Sequence, residues 1–126
     1  MRILVDTHLL LWWVAGLRLP GNSGDLIRDS ANEVFVSAAS VWEVAIKARM
    51  GRLEADPQAF VAALADGGFG ELPISSQHAA AVADLPDHHR DPFDRILVAQ
   101  ALVEPMRLLT HDRTLASYGD AILLAG

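Results

Sequence analysis

The chain has 126 residues, of which 52% are hydrophobic and 21% charged, with no cysteine and a formal net charge of −6. That balance describes a single domain with a real core, and it excludes a disordered chain, a disulfide framework and a thiolate metal site. The acidity argues against broad, sequence-independent nucleic-acid binding, in which Lys and Arg neutralise phosphates; an acidic protein acting on nucleic acid needs something to offset its acids, as a divalent cation would.

Met1 to Val5 lacks the basic start, apolar core and cleavage site of a signal peptide, and the longest apolar run, Leu9 to Ala15, is too short to span a bilayer. A cytoplasmic protein without a membrane segment is expected. Arg2 to Val5 reads as a short buried strand. Asp6 ends it and caps a helix over Leu9 to Ala15, which Gly16 stops. In open α/β sheets ligands sit beyond the carboxyl ends of the strands, so an acid there is a site candidate as well as a cap. Leu9 to Val14, including Trp12 and Trp13, is apolar all round, as a core helix with some partner-facing surface would be.

Leu19 to Ser23 is turn chemistry, Gly24 to Ala31 a short polar helix, and Glu33 to Val36 a second strand. Ser37 caps a third helix, Ala38 to Met50, ended by Gly51. Ser40, Glu43 and Lys47 share one face of it. An exposed Glu43–Lys47 pair would contribute about 0.3 to 0.5 kcal/mol. Val41, Trp42, Val44, Ala45, Ile46 and Ala48, however, set that carboxylate beside a buried stripe, and Lys47 is the sole lysine.

Leu53 to Asp66 is predicted helical with Pro57 in its first turn, and Asp66 to Gly70 is a loop. Glu71 to Ile74 is extended, with Pro73 marking a sheet edge. Ser75 or Ser76 caps a helix over His78 to Leu85, ended by Pro86. Asp87 to Asp91 is a polar loop. His88 and His89 suggest zinc, but no third ligand of matching type lies near in sequence, and solvated loop histidines are the simpler account.

The stretch Asp91 to Ala101 organises the chain. Asp91 is an N-cap, Pro92 takes the first helical position and Asp94 the third, ahead of a buried, Ala-rich helix running to Val103. The helix dipole favours Asp94 there, so chemistry depends on whether other acids converge on the same place. Met106 to Leu109 is a strand. Thr110-His111-Asp112-Arg113 then opens a further helix, with Asp112 repeating the position of Asp6, and Ala121 to Leu124 is the last strand.

This alternation predicts a three-layer α/β/α sandwich around a mostly parallel sheet of four to five short strands. Right-handed crossovers put the carboxyl ends of parallel strands on one edge, so Asp6, Glu43, Asp94 and Asp112 can meet. Two carboxylates about 4 to 5 Å apart repel by roughly 3 to 4 kcal/mol at an effective dielectric near 20. Either some stay protonated or a cation sits among them, and an all-oxygen set favours Mg²⁺ or Mn²⁺. Such a site can polarise a phosphodiester and activate water.

Four segments carry a resemblance: Leu4-Val5-Asp6-Thr7-His8, Ser40-Val41-Trp42-Glu43, Asp91-Pro92-Phe93-Asp94-Arg95 with Ala99-Gln100-Ala101, and Leu109-Thr110-His111-Asp112. In this order and spacing they resemble the successive motifs of PIN-domain ribonucleases and, within these, the VapC toxins of bacterial and archaeal toxin–antitoxin pairs. The resemblance implies a Mg²⁺- or Mn²⁺-dependent endoribonuclease that hydrolyses RNA with metal-activated water. It also implies a homodimer, held inactive by a cognate VapB-type antitoxin. The family's acids carry over to Asp6, Glu43, Asp94 and Asp112. Asp91 is a cap first and a neighbour of the metal second, Thr7, Ser40 and Thr110 supply supporting hydroxyls, and Arg95 holds the motif or touches phosphate. His8 and His111 lie near the site by sequence but read as helix-start polar residues.

A phosphorylation-dependent receiver module needs a lysine after the last strand, and Lys47 follows the second. A haloacid-dehalogenase-like phosphatase needs a second Asp two residues after the first, where His8 stands. The remaining alternative is a catalytically silent PIN-like module that binds a protein or RNA. Loss of an acid would be its sign, and none is lost.

Overall fold

A computed structural model describes residues 1–126. Five strands, β1 (Arg2–Val5), β2 (Glu33–Ser37), β3 (Gly70–Leu72), β4 (Arg107–Thr110) and β5 (Ile122–Leu124), form one sheet in the order β3-β2-β1-β4-β5. Every pairing is parallel, and β3, with Pro73 just beyond it, lies at an edge. In the central strand Ile3, Leu4 and Val5 are fully buried, as expected where both faces of a parallel sheet are covered. Side chains alternate between the faces. Ile3 and Val5 pack with Leu9, Leu10, Phe60 and Leu64, whereas Leu4 packs with Leu97, Val98, Leu108 and Leu115.

One helical layer is therefore α1 (Thr7–Val14), α2 (Ser23–Arg28) and α4 (Pro57–Asp66), and the other is α5 (Ser76–Ala81) and α6 (Pro92–Val103). Helix α3 (Ala38–Arg49) serves both, with Val44 in the first core and Ala39 in the second. This is the three-layer sandwich expected from the sequence, with all pairs parallel. No helix is long and apolar enough to cross a membrane.

Local capping sets the helix starts. Asp6, Ser37, Asp56, Ser75 and Asp91 each accept a backbone N–H from the first turn that follows. Gly16 (φ 73°) and Gly51 (φ 71°) adopt the left-handed conformation just after α1 and α3, where a Cβ would be strained.

Several boundaries differ from expectation, among them α2, which ends at Arg28 and not at Ala31, and β3, which covers Gly70–Leu72 and not Glu71 to Ile74. Helix α4 begins at Pro57, because Asp56 is its cap and leaves Leu53 to Asp56 outside. Helix α5 tightens after Ala81 into a 3₁₀ turn, Val82–Asp84, and Leu85 is extended, as the residue before a proline prefers. The helix expected after Asp112 is a 3₁₀ segment, Arg113–Tyr118. The apolar Leu9 to Val14 stretch is mostly core: Leu9 and Leu10 are fully buried, Leu11, Trp12 and Trp13 pack against them, and Val14 is exposed.

A buried polar chain joins the second layer to the sheet. Ser37 at the end of β2 donates to Gln100 Oε1, and Gln100 Nε2 donates to Pro73 O at 3.3 Å. His78 Nδ1 accepts the Ser75 N–H, which leaves Nε2 to donate to Glu104 at 2.7 Å. The Gln100 of the Ala-Gln-Ala segment is thus fully buried and ties α6 to the sheet.

Candidate active site

The chain runs from β1 outward to β2 and β3 and then returns to the other side of β1 with β4 and β5. The connections after β1 and β4 diverge at that switch, opening a crevice beyond their carboxyl ends. Val5 lies in register with Leu109, which sets Asp6 abreast of Thr110. The Asp6 N–H donates to Leu109 O at 2.9 Å and the Thr110 hydroxyl donates to Asp6 Oδ2 at 2.5 Å. Thr110 Oγ1 in turn accepts the Asp112 N–H at 3.0 Å, so one buried hydroxyl fixes two acids from opposite ends of the sequence.

Glu43 enters from α3. It is 4% exposed, far from the solvated pair that its i, i+4 spacing with Lys47 would suggest. Lys47 Nζ donates to Glu43 Oε2 at 2.6 Å, while Glu43 Oε1 is buried with no hydrogen-bond partner. Ser40, one turn earlier, accepts the Thr7 hydroxyl at 2.8 Å and locks α3 to α1. Trp42 and Phe93, flanking Glu43 and Asp94 in sequence, meet edge to face at 5.2 Å and join α3 to α6.

Asp91 Oδ1 accepts the Phe93 N–H at 2.8 Å and the Asp94 N–H at 3.4 Å, so its cap role is direct and it orients the turn that carries Asp94. Arg95 is turned away from the acids. Its guanidinium donates to the carbonyls of Val82, Leu85, Pro86 and His89 and to the Tyr118 hydroxyl, stapling the loop that leads into α6. Of the two roles expected for it, this geometry supplies the holding one.

The electrostatics show the acids acting on one another. Burial first, then the carboxylates of Asp6, Asp91 and Glu43, push Asp94 up to about 7, with His89 opposing. Burial also raises Asp6, with Glu43 adding to it, against the Thr110 hydroxyl and His8. Asp112 is the outermost acid, its side chain 39% exposed. Burial would raise it, but hydrogen bonds from the Thr114 hydroxyl and N–H and from His89 prevail and hold it below the usual carboxylate range.

His89 is the residue the sequence did not place. Its Nε2 lies 3.2 Å from Asp94 Oδ2 and 3.2 Å from Asp112 Oδ2. Asp94 lies in the following turn, and the partner that local sequence does not reveal is Asp112, 23 positions later. Its neighbour His88 packs on Tyr118 instead. His8 is exposed and His111 rests against Trp12 and the Ala125 carbonyl, as helix-start residues would.

The donor set fits a divalent cation. Asp6, Glu43 and Asp94 lie near enough to perturb one another, Asp112 is tied to Asp94 through His89, Glu43 holds a buried oxygen with no donor, and burial together with neighbouring charge raises Asp94 to about 7. A divalent cation held there would give that oxygen a partner and relieve the repulsion. Asp6, Glu43, Asp94 and Asp112 offer oxygen ligands alone, the chemistry of Mg²⁺ and Mn²⁺.

A five-stranded parallel sheet, covered on both faces and acid-lined at its switch point, defines a class of small α/β proteins whose chemistry sits at the sheet edge. Residues 3–121 match the PIN domain family. The chain is 31% identical over 119 residues to Ribonuclease VapC22 of Mycobacterium tuberculosis, covering 92% of this chain and 91% of the relative. Its fold is shared by VapBC2 from Rickettsia felis bound to a promoter DNA fragment (TM-score 0.70, 12% identity, 98% and 97% of the two chains). The same holds for VapBC-5, a toxin–antitoxin system member from Mycobacterium tuberculosis (TM-score 0.64, 15% identity, 98% and 97%). The chain belongs to the PIN-domain family.

Proposed function

We propose that this chain is a divalent-metal-dependent endoribonuclease, the toxin of a toxin–antitoxin pair, working as a single domain over residues 1–126. The observation that carries the reading is the coupling of Asp6, Glu43 and Asp94, with Asp112 joined to Asp94 through His89 and with Glu43 Oε1 buried and unpartnered. Family membership and the likeness to Ribonuclease VapC22 support it.

The four acids would hold Mg²⁺ or Mn²⁺. When bound, that ion supplies Lewis acidity toward the scissile phosphate and makes water a competent nucleophile near neutral pH. The chain's own residues provide the rest. Thr110 orients Asp6 and Asp112, Lys47 pins Glu43, Asp91 fixes the turn carrying Asp94, and Thr7 with Ser40 holds α1 and α3 at their spacing. Asp94, raised to about 7 without metal, would be ionised when a cation is held. Water would add to phosphorus as the bond to the 3′-oxygen breaks, with the water's proton lost to solvent and the departing oxygen protonated from solvent, leaving a 5′-phosphate and a 3′-hydroxyl.

A VapB-type antitoxin is the partner this reading supplies, with support from the VapBC likenesses, and family membership implies a homodimer as well. Co-expression with the neighbouring gene abolishes toxicity on this reading, and the sedimentation mass is that of two chains.

The decisive experiment incubates purified protein with total cellular RNA in Mg²⁺ or Mn²⁺, beside EDTA and Asp94→Asn. Discrete cleavage that needs metal and disappears in the variant is the expected result. Metal binding with no cleavage of any RNA class would instead identify the silent binding module.

A further inference from the structure

His89 sits in the middle of the site without belonging to any of its carboxylates, and its hydrogen bonds define what it can do there. Its Nδ1 accepts the backbone N–H of Asp91 at 3.1 Å. A ring nitrogen that accepts carries no hydrogen, so Nε2 carries it. That N–H donates to Asp112 Oδ2 at 3.2 Å, with Asp94 Oδ2 also 3.2 Å from the ring nitrogen.

These three ligand atoms lie within 4.8 Å of one another, a spacing that at first sight reads as a three-ligand metal site. The polarity of the ring says otherwise. A metal-bound imidazole turns a lone pair to the ion and donates its other N–H to a carboxylate, carbonyl or water. Here the far nitrogen faces a donor and the near one carries the hydrogen. An ion within reach of both acids would compete for the space this N–H fills.

We propose that His89 is a positioning residue that occupies the notch between Asp94 and Asp112 as a hydrogen-bond donor, and that a divalent cation displaces it and is not ligated by it. This rests on the metal-site reading above. The loop is built for such a movement. Arg95 grips it by backbone carbonyls, including that of His89 at 3.3 Å, so the side chain can rotate while the main chain stays put. On its outer side the ring already borders an open surface depression that it lines with Arg90, Asp91, Asp112 and Thr114, which leaves it room to turn outward.

The test is calorimetric titration of Mn²⁺ into the metal-free chain, wild type against His89→Ala, with cooperative melting checked first. Should His89→Ala not melt cooperatively, His89→Leu takes its place. Removing a competitor tightens binding, by about tenfold for one hydrogen-bond donor on a carboxylate. Weaker or unchanged affinity would overturn the proposal, weaker affinity being the mark of a ligand. A second readout is the ¹⁵N signal of the His89 ring on adding Mg²⁺. Nε2 keeps its hydrogen if the ring is displaced; loss of that hydrogen on metal addition would also overturn the proposal. If neither wild type nor variant binds Mn²⁺, the metal-site reading itself falls; equal, tight binding by both overturns only the role of His89.

Discussion

Thr110 and Asp6, 104 positions apart, are joined by a hydroxyl-to-carboxylate hydrogen bond of 2.5 Å at the switch point of the sheet. The same hydroxyl oxygen accepts the Asp112 N–H, so a single side chain sets the spacing of two acids. Thr110→Val keeps the volume but leaves a buried carboxylate oxygen and a backbone N–H without this partner, which costs about 1 to 3 kcal/mol. Denaturant unfolding of the metal-free protein is expected to show that loss, and Mn²⁺ titration a weaker affinity. Thr110→Ser, which restores the hydroxyl, recovers both. A valine variant with wild-type affinity would separate Thr110 from the site.

Stability without metal should fall as pH rises. The folded protein holds protons on Asp94 and Asp6 more tightly than the unfolded chain, in which such a carboxyl titrates at its ordinary 3.8. The resulting stabilisation is complete below that value and is lost as pH climbs through about 7, the folded value for Asp94. In EDTA the melting temperature is expected to decline between pH 5 and pH 8. Asp94→Asn flattens the decline, and saturating Mg²⁺ reverses it. A melting temperature that rises over that interval in EDTA would contradict the upward shift of these acids by burial and neighbouring charge.

Much of this architecture is readable from the sequence because its signals are local. A strand followed at once by an acid places Asp6, a Pro at the first helical position places Asp91 and Asp94, and alternation of strands and helices is enough for the sandwich. Residues whose partners are distant are not readable in this way. His89 meets Asp112 across 23 positions, His78 meets Glu104 across 26, and nothing around either histidine announces the acid it finds. The boundaries that shift lie where a cap or a proline overrides an apolar pattern that continues past it, as at Asp56-Pro57 and Leu85-Pro86.

Arg95 acts through geometry more than through charge. It donates to four backbone carbonyls and a tyrosine hydroxyl, which a planar fork with several N–H groups can do and a lysine ammonium cannot. Arg95→Lys is therefore expected to behave nearly like Arg95→Ala, each losing about 1 to 3 kcal/mol. Hydrogen exchange should quicken in residues 82–90 while β1 and β4 stay protected. Full stability in the lysine variant would mean that charge alone suffices.

Lys47 and Glu43 test how far a cation is built into the design. Glu43 is almost wholly buried, and its single side-chain hydrogen bond comes from Lys47, itself 30% exposed. Lys47→Met removes that donor and leaves a buried carboxylate wholly unpaired, which destabilises the metal-free protein by about 1 to 3 kcal/mol once partial solvation of the lysine is allowed for. Mn²⁺ is expected to restore most of this loss, because a bound ion gives the carboxylate another partner and stabilises the folded state by its binding free energy. Adding Glu43→Gln to Lys47→Met removes the uncompensated charge and restores stability in EDTA, but the protein then gains little from Mn²⁺. Melting temperatures of the four proteins of this cycle, with and without the ion, decide the matter. If Mn²⁺ raises all four equally, Glu43 is not among the groups that hold it.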